Sequence, residues 1–127
     1  MPELVRAEGE PLVDKGYGDA LEGADLERLL AQRGIGHLVV TGAQTDACIR
    51  SMLHGAFTRG YDVTLVTDGH TTSDRSAHGA PSPEQVVAHT NMYWAWHAAP
   101  GRTAAALDAA AVSFAAAIEE GLETGAP

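Results

Sequence analysis

Cys48 is the only thiol in this 127-residue chain and Lys15 is its only lysine. A thiolate can attack a carbonyl carbon, and an ammonium group near it can steady the developing anion. Gln44 stands four residues before the cysteine, in the run Gly42-Ala43-Gln44-Thr45. Further along, His70, Thr71 and Thr72 follow an apolar run. They are candidates to line a small-molecule pocket, with a plain surface loop as the other reading. Each feature also has an ordinary explanation. A lone cysteine is commonly a small buried hydrophobe, and a loop lysine is commonly just solvated. The nearest carboxylates in sequence are Asp14, Asp19 and Asp46; Asp46 reads as the cap of a helix, and none of them is assigned as a base. His70, His78, His89 and His97 lack the tight spacing of a ligand set, so neither a metal nor another cofactor is expected.

These groups must be positioned by the elements around them. His37 to Thr41 (HLVVT) and Tyr61 to Thr67 (YDVTLVT) are short apolar runs of the kind that form strands buried on both faces of a parallel sheet. Between them Ile49, Met52, Leu53, Ala56 and Phe57 recur at helical spacing up to Gly60. The unit is therefore strand, helix, strand, with a right-handed crossover, and the fold class is α/β. Cys48 falls in the first turn of that helix. There it faces the positive end of the helix dipole and backbone N–H groups without helical partners, which favour a thiolate and can receive an oxyanion.

Upstream, Glu10 to Lys15 reads as a short extended segment and Ala24 to Arg33 as a helix stopped by Gly34. Downstream, Asp68 to Pro81 reads as a polar loop. Ser82-Pro83-Glu84-Gln85 is a capping box that opens a helix carrying Tyr93, Trp94 and Trp96, aromatics taken as core. The alanine-rich stretch from Thr103 to Ala117 reads as helix on propensity, with a strand over Thr103 to Leu107 before a final helix as the alternative.

Bulk properties narrow the partners. With 45% hydrophobic residues the chain suits one domain over residues 1–127. Eight basic against 17 acidic residues give a net charge of -9, which argues against nucleic acid and anionic membranes. One cysteine forms no internal disulfide, and no apolar run is long enough to span a bilayer. A cytoplasmic protein is expected.

The run Gly42 to Met52 (GAQTDACIRSM), followed by His54 to Thr72 (HGAFTRGYDVTLVTDGHTT), resembles the signature of the isochorismatase-like cysteine hydrolases. That family includes nicotinamidases and carbamoylsarcosine amidases. The likeness extends to Asp14 to Leu26 (DKGYGDALEGADL), to the capping box, and to Gly101-Arg102. It implies a three-layer α/β fold, a parallel sheet flanked by helices. It further implies Cys48 as nucleophile, Lys15 as the lysine that holds the thiolate, and a cis peptide at Ala43-Gln44 aiming the Gln44 and Cys48 amides into an oxyanion hole. The implied reaction is hydrolysis of a small amide or related compound through an acyl-enzyme.

The resemblance also implies a catalytic aspartate at the end of a first, central strand, and no such strand precedes the segment on which this sequence opens. The expectation is an N-terminally truncated version of the fold. The strand His37 to Thr41 would then have a bare edge, and the expectation is a homo-oligomer paired across it, a complex with a separate N-terminal fragment, or poor solubility. Leu21, Ala24 and Met52 also depart from the family pattern and are expected to reshape the pocket. Two functions follow: a cysteine hydrolase, or a catalytically silent homologue serving as an oligomerising or ligand-binding module.

Overall fold

β1 (His37–Ala43) and β2 (Asp62–Thr71) pair in parallel, with His37 opposite Asp62 and Val40 opposite Leu65. The computed structural model describes residues 7–14, 16–22 and 25–114. β2 pairs in parallel on its other side with β4 (Arg102–Leu107), which is joined to the two-residue antiparallel strand β3 (Ala98–Ala99). The strand order is β1-β2-β4-β3, so β1 has one side unpaired among the described residues. The expected parallel sheet is thus present, with a short antiparallel addition at its far end.

Among the described residues three α-helices accompany the sheet: α1 (Leu26–Gln32), α2 (Arg50–Thr58) and α3 (Pro83–Trp96). In β2, Val63, Thr64, Leu65 and Val66 are all buried, and because successive side chains point to opposite faces, the sheet is covered on both. Leu53 and Phe57 of α2 meet Trp94 of α3 in the core, where the Trp94 indole N–H donates to the Val63 carbonyl at 3.2 Å. The aromatics of α3 divide: Trp94 is wholly buried, whereas Trp96 is 84% exposed and lies outside the core.

Several boundaries differ from expectation. Residues 10–14 form no strand; Glu10 instead folds its carboxylate back onto the Ala7 amide at 3.0 Å. β2 runs four residues beyond Thr67, into what reads as loop. It does so because Gly42 and Ala43 pair with His70 and Thr71 after a register shift.

Arg102–Leu107 is a strand despite its alanines. Intrinsic propensity yields here to an open edge of β2 and to side-chain ties at both ends of the strand. The Thr103 amide donates to Asp62 Oδ1 at 2.6 Å. Beyond the strand, Asp108 accepts from the Thr67 hydroxyl and the Ala109 amide donates to Asp68 at 2.8 Å. The final helix expected after it falls largely outside the described residues.

The capping box is formed as read. The Ser82 hydroxyl accepts from the Gln85 amide and the Gln85 side chain accepts from the Ser82 amide, with proline at the first helical position. Among the described residues no helix is long and apolar enough to cross a membrane.

Candidate functional site

The chain turns from β1 into α2 through a π-helical turn, Thr45–Ile49, that contains Cys48. Gly42 enters this turn with φ +125°, a conformation that suits glycine, and the Ala43-Gln44 peptide is cis. The Gln44 carbonyl then accepts from the Ala47 and Ile49 amides at 3.1 and 3.0 Å, the residues on either side of Cys48. A wider turn of this kind commonly marks a functional position. Cys48 itself is a free, half-buried thiol.

The turn is fastened to β2 from below. Thr45 is fully buried, and its hydroxyl lies 2.7 Å from His70 Nδ1. His70 Nε2 lies 2.7 Å from Asn91 Oδ1, and the Asn91 amide nitrogen donates to the Thr67 carbonyl at 3.1 Å. That last bond fixes which end of the Asn91 amide accepts. His70 therefore donates from Nε2 and accepts the Thr45 proton at Nδ1. At 4% exposure His70 is a buried bridge between the turn, β2 and α3.

Above the turn, the segment after β2 closes on Gln44. Its side-chain oxygen accepts from the Ser73 amide (3.0 Å), Arg75 (3.1 Å) and the Thr72 hydroxyl (3.1 Å), and its nitrogen donates to the Ser73 hydroxyl (2.9 Å). The Thr72 hydroxyl also reaches Asp46 at 2.8 Å, the shorter contact and so the better claim on its single proton. This bond, with Arg75 and Arg50 nearby, holds the Asp46 carboxyl below its ordinary value. Asp46 thus ties the turn to the Thr72 segment rather than serving as the N-cap, which is Gln44 and makes no side-chain cap bond. Thr71 is exposed, at the end of β2 opposite Ala43.

On the other face of α2 lies the glycine loop around Gly18. A Cβ on Gly18 would stand 3.1 Å from the Ser51 hydroxyl and 3.8 Å from Cys48 Cα, so this loop passes directly beside the thiol-bearing turn. Asp19 secures it. Its carboxylate bonds Arg59 at 2.5 Å and the Leu21 amide at 2.9 Å, and it sits where a Cβ on Gly55 would fall only 2.0 Å from Asp19 Oδ2. Leu21 is buried in the core, and Met52 packs half-buried against it. Lys15, together with Ala24, lies outside the described residues, so the loop beside Cys48 is placed from Gly16 to Glu22 without the lysine's own side chain.

Of the residues singled out in the sequence, Gln44, Cys48 and Thr72 are thus gathered at the turn, whereas His70 is withdrawn beneath it. The clamps made by Asp19, Asn91, Ser73 and Arg75 were not anticipated. Gly55, small and in mid-helix, was the one visible sign that something approaches α2 closely. Among the described residues no group of three or more histidine, cysteine or acidic side chains is arranged to hold a metal ion.

Comparison with known proteins gives the same placement. Residues 1–90 match the isochorismatase domain family. An uncharacterised isochorismatase family protein of Bacillus subtilis (strain 168) is 32% identical over 80 residues, 63% of this chain and 42% of that protein. The N-carbamoylsarcosine amidase of an Arthrobacter species is 34% identical over 58 residues, 46% of this chain and 22% of the amidase. The crystal structure of an isochorismatase from Pseudomonas putida KT2440 superposes with a TM-score of 0.78 at 23% identity, over 89% of this chain and 56% of that one. The chain spans about half the length, or less, of the relatives it matches. With its strand order, its cysteine-bearing turn and a family match over 90 residues, the chain belongs to the isochorismatase family.

Proposed function

We propose that the chain carries the nucleophile half of a cysteine hydrolase acting on a small amide or related substrate. The observation that carries this reading is the position of Cys48: on a π-helical turn between β1 and α2, half-buried, with the Gly18 loop alongside. In the proposed reaction the thiolate adds to the substrate carbonyl, and the oxyanion is received by the Gln44 and Cys48 amides. The tetrahedral adduct expels the amine, which takes a proton, and leaves a thioester on Cys48. Water then adds, releasing the acid and restoring the thiol. Lys15, three residues before Gly18, is the cation proposed to steady the thiolate.

The proton acceptor for this cycle is proposed to come from a carboxylate brought to the open side of β1, by a further segment or by a second copy of the chain. An unpaired strand edge invites such an addition. The test is turnover of a panel of small amides and ureido compounds, with mass spectrometry for an acyl adduct on Cys48. Loss of both on Cys48→Ala supports the reading; hydrolysis that survives that substitution overturns it.

A second reading, a binding or oligomerising module without turnover, has one observation in its favour. Asp19 is engaged by Arg59 and Asp46 by Thr72, so neither of these two carboxylates stands ready as a base. A chain that assembles but hydrolyses nothing on the panel fits this second reading and sinks the first.

A further inference from the structure

A cleft of about 800 Å³ runs between α2 and the segment that leads into and along α3. Asp46 lines it from the thiol-bearing turn, Arg50 and His54 from α2, and Val86, His89 and Tyr93 from α3. Arg50 and His54, four residues apart, lie on one stripe of α2. Ser51 and Gly55 lie on another, which meets the Gly18–Asp19 loop beside Cys48. Neither Cys48 nor the Gly18 loop lines the cleft, which meets the thiol-bearing turn only through Asp46, so its argument does not depend on the reading of Cys48.

Its chemistry is specific. Arg50 is exposed, and its guanidinium makes no hydrogen bond or ion pair with any described residue, a forked donor left open at the wall of a cleft. The rings of His54 and Tyr93 stack at 5.8 Å with an interplanar angle of 12°, and His89 tilts against the same Tyr93 at 5.6 Å. Val86 adds an aliphatic patch. The Tyr93 hydroxyl is shut off from solvent and has no partner among the described residues, so Tyr93 offers the cleft its ring and not its hydroxyl. Asp46 supplies one negative charge at the rim, where the Thr72 hydroxyl holds its carboxylate. One open guanidinium beside flat and aliphatic walls suits a single negative charge on an apolar body, and the rim carboxylate disfavours a second charge.

We propose that this cleft binds a small monocarboxylate with an apolar body, its carboxylate forked on Arg50 and its body laid against Val86 and the His89 and Tyr93 rings. Benzoate is the probe, titrated into the full chain by ligand-observed NMR, with benzamide as a neutral ligand of the same shape and acetate as the charge without the body. Benzoate is expected to saturate and to bind at least about tenfold more tightly than either. Arg50→Met, at an exposed helix position, is expected to weaken benzoate about tenfold or more while circular dichroism is unchanged. Val86→Trp, which fills the cleft without touching the charge, is expected to weaken it to a similar degree. Cys48→Ala is expected to leave the affinity unaltered. Failure of benzoate to saturate, equal binding of benzamide, displacement by inorganic phosphate, or loss of binding in Cys48→Ala with retention in both cleft variants would each overturn the proposal.

Discussion

The Thr45 hydroxyl and the His70 imidazole stand 2.7 Å apart with both side chains withdrawn from solvent. Buried polar groups are costly when unpaired, so this contact makes the turn dependent on β2. Thr45→Val leaves Nδ1 without a donor and is expected to lower stability by about 1–3 kcal/mol in urea unfolding. His70→Leu strands both Thr45 and Asn91 and is expected to cost more. A neutral or stabilising His70→Leu would show that the bridge is incidental.

Gly55 and Asp19 make a second prediction, one of sign. In an isolated helix Gly→Ala is stabilising by about 1 kcal/mol. Here the new Cβ would fall 2.0 Å from a carboxylate oxygen held by Arg59. Gly55→Ala is therefore expected to destabilise the chain by roughly 1–3 kcal/mol. In an Asp19→Ala background the same substitution should become stabilising. A thermal or urea double-mutant cycle reads the reversal, and additive effects would refute the contact.

His54 gives a dependence on pH. Burial among its ring neighbours, with His97 and Arg50 nearby, holds its pKa below the ordinary 6.5. Between the folded value and 6.5 the unfolded chain binds a proton that the folded chain does not, so stability falls as pH drops through that window. Above 6.5 the ring is neutral in both states and adds no slope. The fall in thermal midpoint from about pH 7.5 to about pH 5.5 should be smaller in His54→Phe than in the parent chain. Asp46 acts lower down: its contribution is complete above 3.8 and is lost as pH falls through its depressed folded value.

The open side of β1 can be probed through its hydrogen-bond phase. The Gly36 carbonyl accepts from the Asp62 amide, which in a parallel ladder directs Leu38 and Val40 toward β2 and the Val39 amide outward. Val39→Pro removes an outward donor while leaving the ladder to β2 intact. If strands add at this edge, light scattering should show the parent chain as an oligomer and Val39→Pro shifted toward monomer. A monomeric parent would sink the homo-oligomer proposal.

What the sequence made legible was set by local periodicity. The runs His37 to Thr41 and Tyr61 to Thr67 and the spacing Ile49, Leu53, Phe57 each encode a face, and the strand, helix, strand unit follows from them. The capping box at Ser82 is equally local. Arg102–Leu107 was not decidable, because alanines fit either state and the choice rests on Asp62 and Asp68, some 40 residues away in sequence. At the site, Cys48 and Gln44 were readable as a motif. The Asp19, Asn91 and Arg75 clamps were not, since each joins loops whose approach depends on the finished sheet. The burial of His70 was not legible for a related reason: in sequence it follows a strand, but β2 continues through it and draws the ring underneath the turn.

The register shift between β1 and β2 carries a consequence for motion. Because Gly42 and Ala43 pair with the extension of β2, the thiol-bearing turn is continuous with the sheet through backbone bonds as well as through Thr45 and His70. Its amides should exchange with solvent in the same cooperative unit as β2, whose centre is buried and paired on both sides, and not with the exposed face of α2. The position of Cys48 is thereby fixed by the sheet on one side and by the Gly18 loop, held through Asp19 and Arg59, on the other.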